Sequence, residues 1–418
     1  NIIMTDLQIK KQMMNLWKIN FQDSSDYISL IFDNYFNKKF IEWHEINGEI
    51  ISALLGIPYN FVWGKYKMKG LYLCGLSTNK KYRNTGIMKT LISRINIKAK
   101  KLGFAFTFLI PANENLFKYY TNNLYNTSFY RAKLEYLFTS NFNLISLNKI
   151  YNSLDNYIGN LQQRYQLINV VKYDSSNEKI RQYIIDKIVN IEQHISTYIS
   201  ILHSPKDIGI IIDENKISNG EIFISYINED VLTGIAFISI DPNKNIVINK
   251  IYYDDIPSFY KLLNHIKSKY HNSKITLFLY PEESCVNNVF EPNNNTLDPE
   301  NKLSKAAGII IQFKKQLTKY GMIRVLDVSQ ILKFMTGYRD DLKLSILIKD
   351  QIGITKYEIS YGKLFINHNI RSDQIISNRN KVVSIPQLSE LIFREEESNV
   401  PDKINIPRLP INMSLLLD

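Results

Sequence analysis

The chain has 418 residues, of which 45% are apolar and 22% charged, a composition typical of a globular protein with two or three domains. Its formal net charge is +11, but the basic residues are spread evenly along the chain, so the charge does not predict a nucleic-acid-binding surface. Two cysteines are too few for a disulfide framework, and the six histidines lack ligand spacing, so we expect no metal site. No apolar run reaches the roughly 20 residues of a membrane span, so we expect a cytoplasmic protein.

The first predicted elements are a helix and three strands. Residues 23–38 open with helix-capping residues, and apolar side chains recur at helical spacing between Tyr27 and Phe32. The segments FIEWHEINGEIISALLGIPYNFVW and GLYLCGL are alternating or continuously apolar, and Asn47-Gly48 predicts a hairpin between two of the strands.

A helix follows these strands after a basic turn, STNKKYRNTG. From Gly86 apolar residues fall at steps of three and four, with lysines and Arg94 on the other face, until Gly103 ends the pattern. FAFTFLIP at residues 104–111 predicts a buried strand, and ANENLFKYYTNN predicts a short helix. A strand–helix–strand unit of this length predicts a parallel pair of strands joined by a right-handed crossover.

The same order of elements returns at residues 245–281. This segment also predicts a strand, a helix and a strand that ends in a proline. Between its first strand and its helix, DDIPS stands in place of the basic turn and its glycine. We interpret the two segments as a duplicated fold in which only the first copy keeps a site.

The remaining part of the chain predicts a linker and a third unit. Residues 284–305 are polar and rich in Asn and Pro, which is typical of a surface loop. The later segments GMIRVLDVSQILKF, DLKLSILIKD and KYEISYGKLFINH predict a small α+β unit.

The basic turn has the chemistry of an anion site. The first N–H groups of a helix have no carbonyl partners, and the helix dipole adds positive potential there. Gly86 lets an anion approach the backbone because no Cβ stands in the way. Lys80, Lys81 and Arg83 add positive charge. The turn therefore predicts a site for phosphate groups.

The segment LSTNKKYRNTGIMKTLI resembles the acetyl-CoA-binding motif of the GNAT acetyltransferases, whose R-x-x-G-x-G/A pattern cradles the cofactor pyrophosphate. Arg83 and Gly86 match that pattern, whereas Met88 replaces its last small residue. Asn113 and Tyr120 match a second motif, N-x-x-A-x-x-F-Y, but Leu124-Tyr125 stands where the family has Gly-Phe.

The layout of the whole chain is similar to that of the enhanced intracellular survival (Eis) acetyltransferases. The resemblance implies an α+β and α/β protein with two tandem GNAT folds, each a mixed central sheet flanked by helices, and a sterol-carrier-protein-like α+β domain. The predicted domains are a catalytic GNAT domain at 1–145, a degenerate GNAT-like domain without a CoA site at 146–300, and the sterol-carrier-like domain at 301–418. The segment GMIRVLDVSQIL resembles the opening of such a sterol-carrier-like domain.

The resemblance also implies a cofactor, a site and an assembly. Acetyl-CoA is the implied co-substrate, and the oligomer would be a hexamer. Tyr120 would be the general acid, and the terminal carboxylate of Asp418 would be the base. The implied cofactor-binding residues are Leu76, Ser77, Thr78, Arg83, Asn84, Thr85, Gly86, Ile87, Met88 and Asn113.

These residues suit transfer of an acetyl group to a primary amine. An amine of pKa about 10.4 must lose a proton before it attacks a thioester, which requires a proton acceptor at pH 7. A phenol of pKa about 10 can donate to the leaving thiolate. We expect an N-acetyltransferase that acts in a ternary complex on an aminoglycoside, polyamine or lysine amine. The alternative is a non-catalytic interaction or lipid-binding protein on the same scaffold.

Overall fold

The structure is a computed structural model. It describes residues 4–63, 65–136, 163–194, 199–228, 230–279, 316–338, 341–350, 353–368, 370 and 382–393. The predicted linker at 284–305 and the terminal residue Asp418 lie outside this part of the chain. The described residues within Asn1–Tyr130, Gln193–Leu202 and Lys319–Met413 form one compact unit, and those within Arg131–Glu192 and His203–Thr318 form a second.

The first unit begins with two helices and three antiparallel strands. They are α1 (Asp6–Phe21), α2 (Ser25–Tyr35), β1 (Ile41–Ile46), β2 (Glu49–Trp63) and β3 (Tyr66–Thr78). The helix and the three strands expected from the sequence are confirmed, whereas α1 is absent from the sequence-based prediction. Thr5 starts α1 with a capping box, because its side chain accepts a hydrogen bond from the backbone N–H of Gln8 and the Gln8 side chain accepts from that of Thr5.

A short turn and a strand–helix–strand unit come next. The elements are a 3₁₀ turn (Lys80–Tyr82), α3 (Ile87–Lys101), β4 (Phe106–Leu109), α4 (Glu114–Thr121) and β5 (Asn126–Tyr136). Strands β3 and β4 are parallel and pair over Gly70–Tyr72 and Phe106–Phe108. The predicted parallel pair is therefore confirmed.

The second unit repeats this arrangement. The next elements in chain order are β6 (Ile168–Lys172), α5 (Glu178–His194), β7 (Ser200–Leu202), α6 (Pro205–Ile217), β8 (Glu221–Ile227), β9 (Val231–Ile240), β10 (Ile246–Tyr253), α7 (Ile256–Lys269) and β11 (Ile275–Leu279). Among them, β7 belongs to the first unit, where it pairs antiparallel with β2. Strands β11, β10, β9, β8 and β6 lie side by side in that order. The parallel pairing of β10 with β11 around α7 confirms the second strand–helix–strand segment.

The C-terminal part contributes to two sheets. Its elements are β12 (Gln316–Val325), α8 (Val328–Tyr338), β13 (Leu344–Lys349), β14 (Ile354–Ser360), β15 (Lys363–Asn367), β16 (Val382–Ser384) and α9 (Ile385–Ile392). Strand β12 pairs antiparallel with β4, which extends the sheet of the first unit to the order β1-β2-β3-β4-β12. The other four strands form a separate sheet in the order β15-β14-β13-β16. The predicted mixed sheet flanked by helices is confirmed. None of the described helices is long and apolar enough to cross a bilayer.

Strand β3 contains a bulge. The register between β2 and β3 shifts so that Leu54 lies opposite both Gly75 and Leu76. Gly75 has φ +59°, and a Cβ added there would lie 2.3 Å from a ring carbon of Trp17 on α1. Only glycine meets both conditions, so the bulge depends on residue 75 and on the helix packed over it.

Helix α3 is held on the sheet by apolar and charged contacts. Leu91, Ile92 and Ile95 are buried in a cluster that also contains Leu71 and Leu73 of β3. The carboxylate of Glu42 on β1, which is 5% exposed, forms ion pairs with Arg94 (2.6 Å) and Lys98 (2.9 Å) of α3. A charge buried among these groups is stable only when it is paired, so the contacts fix α3 against β1.

Beneath α3 lies a buried polar group. The hydroxyl of Thr107 donates to Oδ1 of Asn96 at 2.7 Å and lies 2.8 Å from the hydroxyl of Tyr125. All three residues are buried. The hydrogen bonds join α3 and β4 to the segment that follows α4.

Leu124 has a strained backbone, with φ +67° and a side chain that is 43% exposed. A Cβ in this left-handed conformation costs about 1–2 kcal/mol. We expect Leu124→Asn to raise the free energy of unfolding by about 1 kcal/mol, because Asn tolerates this conformation. Urea unfolding measures the change.

Leu102 is a matched control for this substitution. Its side chain is also 43% exposed, but its φ is −87°, in the ordinary range. Leu102→Asn should not stabilise the protein, because it relieves no strain. A Leu124→Asn protein no more stable than Leu102→Asn would contradict the assignment of strain to Leu124.

Candidate functional site

Strands β3 and β4 separate at their carboxyl ends. Their pairing stops at Tyr72 and Phe108, whereas β3 continues six residues further to Thr78, a length of about 20 Å. Among the described strands, none pairs with β3 on the side of β4 beyond Tyr72. The gap lies at the carboxyl edge of a parallel pair, where ligands of α/β sheets bind.

Helix α3 points an uncapped N-terminus at this edge. Gly86 is its N-cap residue with φ +84°, and no side chain of the described residues caps the first turn. A Cβ added at Gly86 would meet no atom within 4 Å, so space outside this backbone is open. The first amides of the helix therefore have no side-chain acceptor and can donate to an anion.

The turn that leads into α3 carries only positive charge. Residues 79–91 contain Lys80, Lys81, Arg83 and Lys89 and no carboxylate. Nε of Arg83 donates to the carbonyl of Thr78 (3.2 Å), and its Nη2 donates to Oδ1 of Asn20 on α1 (2.6 Å). Arg83 thus fixes the end of β3 to the turn while its exposed guanidinium raises the local potential.

The remaining cofactor-binding residues implied by the resemblance lie around this turn. Ser77 is buried, and its carbonyl accepts a hydrogen bond from the Ser52 hydroxyl at 3.1 Å. Thr85 donates from its hydroxyl to the carbonyl of Tyr82 at 2.7 Å, which closes the turn.

The other implied cofactor-binding residues differ in their exposure. Asn84 is exposed, and its backbone is left-handed, with φ 63°. Leu76 and Met88 pack against the apolar cluster below, and Ile87 begins α3.

Tyr120 lies in the same apolar cluster. Its side chain is 7% exposed, on the buried face of α4, and its ring contacts those of Tyr119 (5.2 Å) and Tyr125 (6.0 Å). Leu76 near the end of β3 and Met88 at the start of α3 pack against the same cluster. Burial raises the pKa of the Tyr120 hydroxyl, and the two neighbouring tyrosines raise it further.

Asn113 has a structural task. It is the N-cap of α4, and its side-chain oxygen accepts a hydrogen bond from the N–H of Leu116 at 3.1 Å. The cap sets the direction of α4 and thereby the position of Tyr120.

Asp418 lies outside the described residues, so the structure gives no geometry for a terminal carboxylate. Within the described ranges, no group of three or more His, Cys, Asp or Glu side chains could hold a metal ion.

The corresponding corner of the second unit differs. Its helix α7 has Asp255 as N-cap, whose carboxylate accepts from the N–H of Ser258 at 2.8 Å and from Nε of Arg164. Burial acts to raise the pKa of Asp255, but these hydrogen bonds outweigh it and hold that pKa below its ordinary value. The side chain of Asp255 thus accepts a hydrogen bond from the first-turn N–H of Ser258, so this amide is not available to an anionic ligand.

Two features near the site are missing from the sequence-based prediction. The bulge is indicated only by Gly75 within an apolar run, a known but weak signal. The contact of Arg83 with Asn20 joins residues 63 positions apart, and no local pattern predicts it. A Thr5-x-x-Gln8 capping box could have revealed α1.

Comparison with known proteins agrees with this geometry. Residues 6–122 match the family model described as the acetyltransferase (GNAT) domain. The N-terminal part of the chain is therefore similar to a GNAT acetyltransferase domain, and the matched segment includes all the predicted site residues except Asp418. No curated protein matches the sequence.

Solved structures resemble the chain over nearly its whole length. A GCN5-related N-acetyltransferase from Anabaena variabilis has a TM-score of 0.61 at 13% identity, covering 98% of this chain and 97% of that one. A probable N-acyltransferase of unknown function from Enterococcus faecalis has a TM-score of 0.60 at 12% identity, covering 92% and 87%. Eis1 from Mycobacterium abscessus has a TM-score of 0.56 at 8% identity, covering 94% and 88%. At these identities the likeness establishes the fold.

Proposed function

We propose that the protein is an N-acetyltransferase that uses acetyl-CoA and a primary amine. The observation that supports this most directly is the uncapped N-terminus of α3, with open space outside Gly86 and an all-basic turn before it. A diphosphate needs several N–H donors and positive charge, and this corner supplies both.

The described residues fit the cofactor. The backbone amides from Asn84 to Met88 would hold the pyrophosphate, and the edge of β3 from Leu76 to Thr78 would pair with the amide groups of the pantetheine arm. The carbonyl of Thr78 already accepts from Arg83 but has a second lone pair. Met88 faces the apolar cluster, so its side chain does not fill the cradle.

Acetyl-CoA, when bound, would supply a thioester whose carbonyl carbon the amine attacks directly. The amine must first lose a proton, for which we propose the terminal carboxylate of Asp418, acting directly or through water. Tyr120 would then donate its hydroxyl proton to the departing sulfur. Its raised pKa keeps that proton in place at neutral pH.

The raised pKa of Tyr120 has a consequence for the pH profile. The catalytic form is the protonated phenol, and it is lost only when pH rises through a value above the ordinary 10. We therefore expect kcat to rise as the acceptor amine loses its proton and not to decline below about pH 10. A plot of kcat against pH from thiol-release assays checks this, and a decline centred below pH 9.5 would exclude Tyr120 as the acid.

The second unit would bind no CoA, because Asp255 already accepts a hydrogen bond from the N–H of Ser258 in the first turn of its helix and Pro257 in that turn has no N–H. We accordingly propose the division into a catalytic domain at 1–145, a degenerate domain at 146–300 and a sterol-carrier-like domain at 301–418. A cytoplasmic location, expected from the sequence composition, is also a proposal, which cell fractionation can test. A hexameric assembly, suggested by the resemblance to Eis acetyltransferases, is a further proposal, which light scattering can test.

An amine panel tests the function. The purified protein is incubated with acetyl-CoA and, separately, with an aminoglycoside, a polyamine and a lysine peptide, and free thiol is measured. We expect acceptor-dependent thiol release with at least one amine class, and a thermal shift with acetyl-CoA alone. A shift without turnover on any amine would favour the non-catalytic alternative, and the lack of both would remove the proposal.

A further inference from the structure

A cavity of about 480 Å³ lies in the first unit, away from the cofactor corner. Its walls come from the C-terminal half of α3, from Leu124 three residues after α4, and from the ends of β12 and β13 and the start of α9. Asn96, the nearest lining residue of α3 to the cradle, is nine residues from Ile87, which is about 14 Å along the helix. The volume is in the range of small-molecule pockets.

One lining residue is a buried amide with an unused donor. Asn96 is 3% exposed, and its Oδ1 accepts from the Thr107 hydroxyl at 2.7 Å. Its Nδ2 is buried and has no hydrogen-bond partner among the described residues. Leaving such a donor unmet costs about 1–3 kcal/mol, so a buried group of this kind points to a missing acceptor.

The cavity wall is also positively charged. Lys100, Arg324 and Lys349 line it, against one carboxylate, Asp350, whose Oδ1 accepts from the N–H of Gly353. Neither Lys100 nor Lys349 forms an ion pair with any described residue. Arg324 is half-buried and donates from Nη1 only to the carbonyl of Asn123 (3.0 Å) among the described groups. The charges therefore remain available to a ligand.

Apolar side chains form the rest of the wall. Ile97 and Leu124 are 56% and 43% exposed at the cavity, and Ile385 and Pro386 lie at the start of α9. Exposed apolar groups beside unpaired cations suit a ligand with an apolar body and an acidic group.

We propose that this cavity binds a small organic acid, with its anionic group near Lys100, Arg324 and Lys349 and an acceptor oxygen at Nδ2 of Asn96. The site is separate from the proposed CoA site and does not depend on it. It contributes a second ligand-binding function in the same unit.

The test uses 8-anilinonaphthalene-1-sulfonate, an apolar anion whose fluorescence rises on binding. Titration of the full-length protein should show saturable binding that excess CoA does not displace. The uncharged analogue N-phenyl-1-naphthylamine should bind roughly tenfold more weakly, since it lacks the anion. Equal binding of both dyes, displacement by CoA, or no saturable binding would overturn the proposal.

Matched charge reversals locate the binding. Lys100→Glu and Lys349→Glu should each weaken dye binding roughly fivefold, because each reverses a charge that faces the anion. Lys101→Glu and Lys343→Glu are the controls, since Lys101 follows Lys100 and Lys343 precedes the strand that carries Lys349, and neither lines the cavity. If the controls weaken binding as much as the wall variants do, the charge of the surface at large explains the affinity and the proposal fails.

Discussion

Replacing Tyr120 by phenylalanine is expected to lower kcat by roughly 100-fold, because the variant keeps the buried ring but has no proton to give to the departing thiolate. The affinity for acetyl-CoA should change by less than about twofold, because the Tyr120 hydroxyl has no hydrogen-bond partner among the described residues. Its removal therefore leaves no described protein group without a partner. Steady-state thiol release measures kcat, and calorimetry measures the affinity.

Tyr119 is the matched control for this variant. It precedes Tyr120 on α4 and is also a tyrosine in contact with the apolar cluster, but it is only partly buried. Tyr119→Phe should leave kcat within about twofold of the unsubstituted protein, as expected for a residue that does not touch the reacting atoms. Equal losses in the two variants would assign the effect to packing rather than to proton donation.

Replacing Gly86 by valine should weaken the binding of acetyl-CoA by roughly 30-fold, the equivalent of losing one or two hydrogen bonds to a charged phosphate. A side chain at this position would point into the open space outside the first turn of α3, where the pyrophosphate is proposed to lie. Isothermal calorimetry with acetyl-CoA gives the dissociation constant directly.

Gly103→Val separates obstruction from strain. Gly103 follows the other end of α3, has φ +80° and likewise has no atom within 4 Å of an added Cβ. Both substitutions should therefore lower the free energy of unfolding by about 1–2 kcal/mol. Only Gly86→Val should affect the cofactor, so a Gly103→Val protein with equally weak binding would contradict the proposed cradle.

Much of the first unit is predictable because its signals are local. The apolar spacing after Gly86 predicts α3, and continuous apolar runs predict β3 and β4 on either side of it. Their order then implies a parallel pair, and the basic turn between strand and helix follows directly. Arg83 and Gly86 come together on one turn for the same reason, since they are only three residues apart.

Other features depend on contacts between distant residues. The bulge at Gly75 needs the ring of Trp17, which is far away in the sequence. Glu42 looks like one of several polar residues in an alternating strand, yet it is buried between two cations of α3. The organic-acid cavity gathers residues as far apart as Asn96, Arg324 and Lys349. No periodicity in the sequence relates such positions, so their contacts are visible only in the folded structure.

The packing of Trp17 over the backbone of residue 75 also sets a lower limit on the size of a working fragment. A truncated protein starting at residue 23 would still contain every motif residue from Leu76 to Tyr120. It would lack the Trp17 ring that packs on the bulge of β3 at Gly75, and Arg83 would lose the side chain of Asn20, to which it donates a hydrogen bond. Such a fragment should bind acetyl-CoA weakly even when it folds. The motif residues from Leu76 to Tyr120 are thus necessary for acetyl-CoA binding but not sufficient for it.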